Sequence, residues 1–107
     1  MTNPRLKRNA MTLLITEKEF QATVRELAEL RGWKVFTTWN SRHSPAGEPD
    51  LRLVHPTKGR MVWAELKREG GRLTELQREA IEILKEAGQE VYVWFPSSWA
   101  SIEATLE

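Results

Sequence analysis

The chain has 107 residues, which is enough for one domain with one modest core. Its hydrophobic and charged fractions, 40% and 29%, are typical of a soluble globular protein, and no apolar run approaches the roughly 18–20 residues that span a bilayer. The absence of cysteine excludes disulfides, thiolate catalysis and thiolate zinc sites, so we expect a cytoplasmic protein.

The net charge of +1 conceals an uneven distribution. Residues 42–78 contain eight Lys or Arg and five Asp or Glu, a local charge of +3. Such a segment suits a phosphate-binding surface, although a solvated basic surface is the commoner meaning. Residues 1–10 carry further basic residues without periodicity, so we predict a flexible basic tail there and a single domain over residues 11–107.

The first half of the domain predicts a helix and three strands. A helix is expected near residues 15–32, with Thr16 and Glu19 as a capping box and an inward stripe that includes Phe20 and Val24. β-Branched and aromatic residues over 33–39 predict a strand, and a loop follows at 40–49. The alternating segments 50–55 and 60–67, separated by a turn, predict a hairpin.

The second half predicts helix, strand and helix. The segment 73–88 has helical periodicity, 90–95 is typical of a buried strand, and residues 97–106 predict a short closing helix. The predicted fold class is α/β, with a mixed sheet flanked by helices in the order α-β-β-β-α-β-α. The expected inward residues of the second long helix are Leu76, Ala80, Ile83, Leu84 and Ala87.

Two carboxylates and an ammonium are expected at one end of the hairpin. Asp50, the only Asp in the chain, opens the first hairpin strand. Because side chains alternate along a strand, Glu65 and Lys67 share a face at the end of the second. The hairpin then carries Asp50 beside them. Two carboxylates suit Mg²⁺, and a neighbouring lysine suits the orientation of water and the charge of a phosphodiester in hydrolysis.

These residues, with several others in order, resemble the VRR-NUC branch of the PD-(D/E)XK nuclease superfamily. The similar motifs cover roughly residues 15–106 and include a G-x-P-D-L segment, an E-L-K triplet and a closing V-Y-V-W-F-P-S-S-W segment. The motif positions are Glu17, Gln21, Gly32-Trp33, Gly47–Leu51, Glu65–Lys67 and Gly71–Gln77.

The resemblance implies a restriction-endonuclease-like fold and cleavage of DNA with Mg²⁺ or Mn²⁺. Asp50, Glu65 and the backbone carbonyl of Leu66 would bind the metal, and Lys67 would activate or position water. Small stand-alone members occur in phages and bacteria, tend to act on branched or flapped DNA, and include dimers. The implied location is a bacterial cell or a phage-infected host, without membrane attachment.

Two further pocket residues are expected from the helices, each with a simpler alternative. Glu17 matches the family pattern, but acids at a helix start are often only partners of the helix dipole. Gln77 matches too, but Thr74 and Gln77 also form a capping box, which would hold the side chain away from a pocket. Glu48 is an additional acid in the G-x-P-D segment, either a third metal ligand or a group that repels phosphate.

Nucleic-acid contacts are expected around the site. Arg42, Arg68 and Arg72 flank it and could bind phosphates, with ordinary solvation as the alternative. Gln21 is assigned the same role from the helix. Of the remaining candidates, Trp39 could stack on a base and His43 could contact DNA, whereas His55 is expected on the surface.

Two rival functions remain at this point. The fold could serve as a catalytically inactive nucleic-acid-binding module, although binding alone gains nothing from paired carboxylates. It could also be a structural or partner-binding domain with incidental acids. A homodimer is a further expectation, since one small unit would hold both strands of a junction poorly and the Trp-rich C-terminal segment could supply an apolar interface.

Overall fold

The structure is a computed structural model that describes residues 12, 14–38 and 47–107. The predicted tail, together with Trp39, Arg42 and His43, lies outside these residues. The described chain follows the predicted order of helices and strands, and none of its helices has the length and apolar character needed to cross a membrane. The elements are α1 (Glu17–Leu30), β1 (Lys34–Thr37), β2 (Leu51–His55), β3 (Arg60–Leu66), α2 (Glu75–Glu86), β4 (Glu90–Trp94), a 3-10 turn (Pro96–Ser98) and α3 (Trp99–Thr105).

Helix α1 begins at the predicted capping box. The Oγ1 atom of Thr16 accepts a hydrogen bond from the Glu19 amide at 3.1 Å, and the Glu19 carboxylate accepts one from the Thr16 amide at 3.2 Å. Phe20, Val24 and Ala28 recur at a spacing of four residues and are buried. The predicted start and inward face of this helix are therefore confirmed.

The sheet is mixed, with the strand order β1-β2-β3-β4. Strands β1, β2 and β3 pair antiparallel, whereas β4 pairs parallel with β3 because helix α2 returns the chain to the same end of the sheet. Leu51 lies opposite Ala64 in the hairpin. Continued by one residue, this register places Asp50 opposite Glu65, just before β2 begins.

The hydrophobic core lies on one face of the sheet. Helix α1 and the C-terminal residues cover this face, and the indole Nε1 of Trp33 donates a hydrogen bond to the Leu106 carbonyl at 3.1 Å. Leu106 is fully buried, so the end of α3 is part of the core. The buried cluster is Phe20, Val24, Ala28, Trp33, Leu51, Leu53, Val62, Ala64, Leu66, Trp94, Ile102 and Leu106.

The opposite face of the sheet is covered only in part. Helix α2 packs against β4 and buries Ile81, but Leu76 and Ile83 are 54% and 65% exposed and Ala87 is exposed as well. The prediction that these three residues face inward was wrong. The helix lies over one side of the sheet, so part of its apolar stripe borders an open groove beside Trp63 instead of a second layer.

His55 also differs from its predicted surface position. It lies at the end of the hairpin away from Asp50, as expected, but it is only 9% exposed. Its ring meets the Trp33 ring edge-to-face at a centroid distance of 5.3 Å, and its Nε2 atom lies 3.2 Å from the Arg31 carbonyl oxygen. The hairpin end packs under the C-terminal end of α1, which encloses the imidazole.

Candidate active site

Asp50 is fixed by both strands that adjoin β2. Its Oδ2 atom accepts a hydrogen bond from the Leu66 amide at 2.9 Å, and its own carbonyl accepts one from the Thr38 amide at 2.9 Å. The carboxylate therefore lies at the C-terminal end of β3 with one oxygen engaged by the backbone. Because the hairpin register sets this position, the side chain is placed before any ligand arrives.

Glu65 is a buried carboxyl group with an unusual environment. It is 1% exposed, and neither of its carboxyl oxygens finds a hydrogen-bond donor within the described part of the chain. Burial raises the pKa of Glu65 to about 8, with a further contribution from the charge of Asp50, while Lys67 opposes the shift. The fold thus places Glu65 beside Asp50 in surroundings that favour the protonated, neutral form of Glu65 at neutral pH.

Lys67 continues the same face of β3 one step beyond the strand. Its backbone amide donates to the Trp94 carbonyl at 3.0 Å, which extends the pairing of β3 with β4. Alternation along β3 gives Glu65 and Lys67 the same face, and the ammonium is close enough to favour the ionised form of Glu65. Asp50, Glu65 and Lys67 are therefore brought together, as the sequence predicts.

The donor set suits a hard divalent cation. Two carboxylates, with the carbonyl of Leu66 next to Glu65 in the chain, offer oxygen ligands of the kind Mg²⁺ and Mn²⁺ prefer. The unpartnered Glu65 oxygens are the observation that fits such an ion, because buried polar atoms in native proteins are nearly always satisfied. No group of three or more His, Asp or Glu residues within residues 12, 14–38 and 47–107 is placed to hold a metal. Neither Glu17 nor Glu48 therefore joins the pair as a third acid.

The two helix residues predicted for the pocket lie at helix starts. Glu17 is exposed in the first turn of α1. Gln77 is in the capping box of α2, where its Oε1 atom accepts from the Thr74 amide at 2.9 Å and its own amide donates to Thr74 Oγ1 at 3.1 Å. A role for Gln77 in the pocket requires its side chain to leave Thr74, and the pocket roles of both residues stay predictions.

Three of the four predicted nucleic-acid contacts lie within the described residues. Arg68 and Arg72 are exposed in the break between β3 and α2, and Gln21 is half-buried on α1. Arg42 lies outside the described residues. Contact of these four residues with nucleic acid remains a prediction.

Gly47 shows why the loop before Asp50 needs a glycine. Its φ angle is +87°, and a Cβ atom there would lie 2.3 Å from the Leu76 carbonyl oxygen. The loop passes directly against the first turn of α2, so the G-x-P-D segment and the start of α2 hold each other in place. Sequence spacing cannot reveal this contact, although a glycine three residues before Asp50 is a signal of close backbone approach.

Sequence reasoning also missed Arg52 as a candidate site residue. Arg52 follows Asp50 by two residues and lies on the same face of β2. The alternation of Asp50 and Arg52 is visible in the sequence. The aromatic neighbours of Arg52, however, come from β1 and β3, and the register of these strands with β2 appears only in the folded sheet.

Comparison with known proteins agrees with this architecture. The family model of the VRR-NUC domain matches residues 3–94, most of the chain. A solved structure named "VRR_NUC domain" aligns with a TM-score of 0.70 at 24% identity, covering 86% of this chain and 96% of that one. Another, named "VRR_NUC domain protein", aligns with a TM-score of 0.62 at 19% identity, covering 87% and 91%.

No curated protein matches the chain. At these identities the two solved structures bear on the fold alone, and both agree with the mixed sheet and its flanking helices. The family model rests on the sequence itself and spans the strands that position Asp50 and Glu65. The chain therefore belongs to the VRR-NUC domain family and has the nuclease-type fold of that family.

Proposed function

We propose that this protein is a Mg²⁺- or Mn²⁺-dependent endonuclease that hydrolyses DNA phosphodiester bonds, with a preference for flapped or branched DNA. The observation that carries the proposal is the buried Glu65 carboxyl beside Asp50, whose oxygens find no donor in the described chain. A protein gains no stability from such a pair unless something binds between them. Membership of the VRR-NUC family supports the choice of a nuclease and of DNA.

Asp50 and Glu65 would hold the metal ion, with the Leu66 carbonyl as a third oxygen donor. When bound, the ion supplies positive charge to the phosphodiester and lowers the pKa of water. The hydrogen bond from the Leu66 amide holds one Asp50 oxygen in place, so the other oxygen and those of Glu65 are left for binding. Glu65 must lose its proton to bind a cation, which Lys67 assists by favouring the ionised carboxylate.

Lys67 is proposed to orient the attacking water and to offset negative charge at the phosphate. In the reaction, the water oxygen would attack phosphorus and the P–O bond to the leaving oxygen would break. The attacking water loses one proton to solvent, and the leaving oxygen takes up one proton from solvent. Glu17 and Gln77 are proposed to support the site from the two helices. Arg42, Arg68, Arg72 and Gln21 are proposed to contact the DNA.

The test is cleavage of labelled DNA as linear duplex, flap, four-way junction and single strand, in Mg²⁺, in Mn²⁺ or in EDTA. The matched variants are Asp50→Asn, Glu65→Gln and Lys67→Met, which keep side-chain size while removing charge. Lys85→Met, on the exposed last turn of α2, is the control. We expect metal-dependent cleavage by the wild type and the control, and a loss of at least about 100-fold in the three site variants.

The inactive binding module makes a different prediction. In that case the wild type binds DNA but cleaves none of the four substrates with either metal. The three site variants then bind DNA as well as the wild type does. That outcome would show the catalytic proposal to be wrong. The substrate ranking tests the preference for flaps and junctions separately, and light scattering at micromolar concentration tests the homodimer.

A further inference from the structure

Arg52 lies between two aromatic rings on the same face of the sheet as the acidic pair. It pairs with Phe36 of β1 on one side and with Trp63 of β3 on the other. Its guanidinium carbon lies 5.6 Å from the centroid of the Phe36 ring and 5.4 Å from that of Trp63. Two cation–π contacts limit the directions that this long side chain can take.

No acid of the chain neutralises the charge of Arg52. All fifteen acids of the chain lie among the described residues, and none forms an ion pair with Arg52. Arg31 and Arg60, by contrast, pair with Glu103 and Glu90. Arg52 is exposed, and its N–H groups donate to no acceptor among the described residues, which suits them to a ligand from solution.

The position of Arg52 connects it with the site. Asp50 and Arg52 are two residues apart, which corresponds to about 7 Å along β2. A polymer that is bound at Asp50 and runs along β2 would therefore pass Arg52. A pocket of about 150 Å³ borders Arg52 and is also lined by Thr38, Pro49 and Trp63. Among its described lining residues, Glu48 is the one acid and Arg52 the one cation. Arg52 therefore offsets the negative charge of Glu48, which by itself would repel a polyanion.

We propose that Arg52, held between Phe36 and Trp63, binds a backbone phosphate of the DNA strand that occupies the site. The two rings position the guanidinium, and the face of the sheet on which Phe36 and Arg52 are exposed is the path of the DNA strand. This inference rests on the proposed function, since it names the route of the substrate to Asp50 and Glu65. A guanidinium suits this contact because it offers several N–H donors to one phosphate.

The test is binding of labelled single-stranded and flapped DNA in EDTA, by fluorescence anisotropy, across about 50–200 mM salt. The variants are Arg52→Gln, Arg52→Lys and, as the matched control, Arg25→Gln, which removes an exposed charge from α1 behind the opposite face. Loss of one phosphate contact should lower the slope of log affinity against log salt by about 0.7–0.9 and weaken binding several-fold. We expect this in Arg52→Gln only, with the slope restored in Arg52→Lys.

Equal affinities and slopes for the wild type, Arg52→Gln and Arg25→Gln would overturn the inference, even if the wild type cleaves DNA. If the wild type binds DNA but cleaves none, the proposed function fails, and a reduced slope in Arg52→Gln still supports the phosphate contact. Single-stranded RNA of the same sequence is measured alongside; if its slope depends on Arg52 and that of the DNA does not, the assignment of a DNA strand is wrong. Circular dichroism of each variant checks that the fold is intact.

Discussion

At the residue scale, the protonation of Glu65 couples folding to pH. Its pKa rises from an ordinary value of 4.5 to about 8 on folding, so the unfolded chain releases this proton at a lower pH than the folded protein. The stabilisation is fully present below pH 4.5 and is lost as pH rises through about 8. The ionisation of Glu65 therefore makes the metal-free protein less stable as pH rises through the neutral range.

The corresponding variant is Glu65→Gln, which keeps the shape of a neutral carboxyl and cannot ionise. Between pH 5 and 8 the free energy of unfolding of the wild type should fall relative to the variant, by at most about 1.4 kcal/mol per pH unit. Urea denaturation in EDTA at several pH values measures this difference. The same change at exposed Glu82 serves as the control, and parallel curves for wild type and Glu65→Gln would contradict the assignment.

Metal affinity should show the opposite dependence on pH. Since a cation binds only the ionised Glu65, affinity for Mg²⁺ or Mn²⁺ should increase by up to about tenfold per pH unit from pH 6 towards 8 and then level off. Calorimetric titration in two buffers of different ionisation enthalpy would detect the proton released on binding. A constant affinity over this range, without proton release, would show that Glu65 is not a ligand.

Some features of single residues can be predicted from the sequence, whereas others depend on how the folded sheet brings residues together. The lone Asp50 and the Glu65–Lys67 alternation predict the acidic pair without a structure. The complete burial of Glu65 and the enclosure of His55 depend on what packs above each residue, and local periodicity carries no information on that. Arg52 was missed for the same reason, because its two rings come from other strands.

At the scale of elements, the contact between Gly47 and α2 holds the loop before Asp50 against a helix. Gly47→Ala would introduce both a strained φ and a clash with the Leu76 carbonyl, so we expect a loss of about 2–4 kcal/mol in the free energy of unfolding. The remaining folded protein should bind metal more weakly, because the loop that leads to Asp50 must shift.

Gly88→Ala is the matched control for this change. Gly88 has a φ of +80°, close to that of Gly47, but no atom lies within 4 Å of the added Cβ position. Backbone strain alone should cost about 1–2 kcal/mol there and leave metal affinity unchanged. Equal effects of the two substitutions, measured by urea denaturation and calorimetry, would mean that the helix contact contributes nothing.

The elements themselves were largely predictable. Both capping boxes and the stripe of α1 are local patterns, and they mark where α1 and α2 begin. The face of α2 was not predicted correctly, because a periodic apolar stripe indicates burial without indicating how much of it a neighbouring sheet covers. Leu76 and Ile83 border an open groove for that reason.

At the scale of the whole molecule, the hydrophobic core and the acidic pair lie on opposite faces of the sheet. Leu106 is fully buried in the core and its carbonyl accepts from Trp33, far along the chain. Leu106→Ala should cost about 2–5 kcal/mol of unfolding free energy while leaving metal affinity and cleavage by the folded protein within about twofold. Thermal denaturation measures the loss of stability, and calorimetric titration and the cleavage assay measure metal affinity and activity.

Leu76→Ala, at a residue that is 54% exposed, is the comparison and should cost less than about 1 kcal/mol. If Leu106→Ala instead reduces metal affinity strongly in protein that remains folded, the core and the site are coupled through the sheet. Tail and domain boundaries, predicted at residues 1–10 and 11–107, stay predictions.

The half-covered sheet has a consequence for how such a protein can change over time. Exposed side chains on its half-covered face, such as Phe36 and Arg52, lie outside the buried core, so substitutions there should leave the fold intact. If the protein acts on DNA as proposed, new substrate preferences can accumulate while the core stays unchanged. Gly47, which lies against α2, and the buried Glu65 should tolerate the fewest replacements.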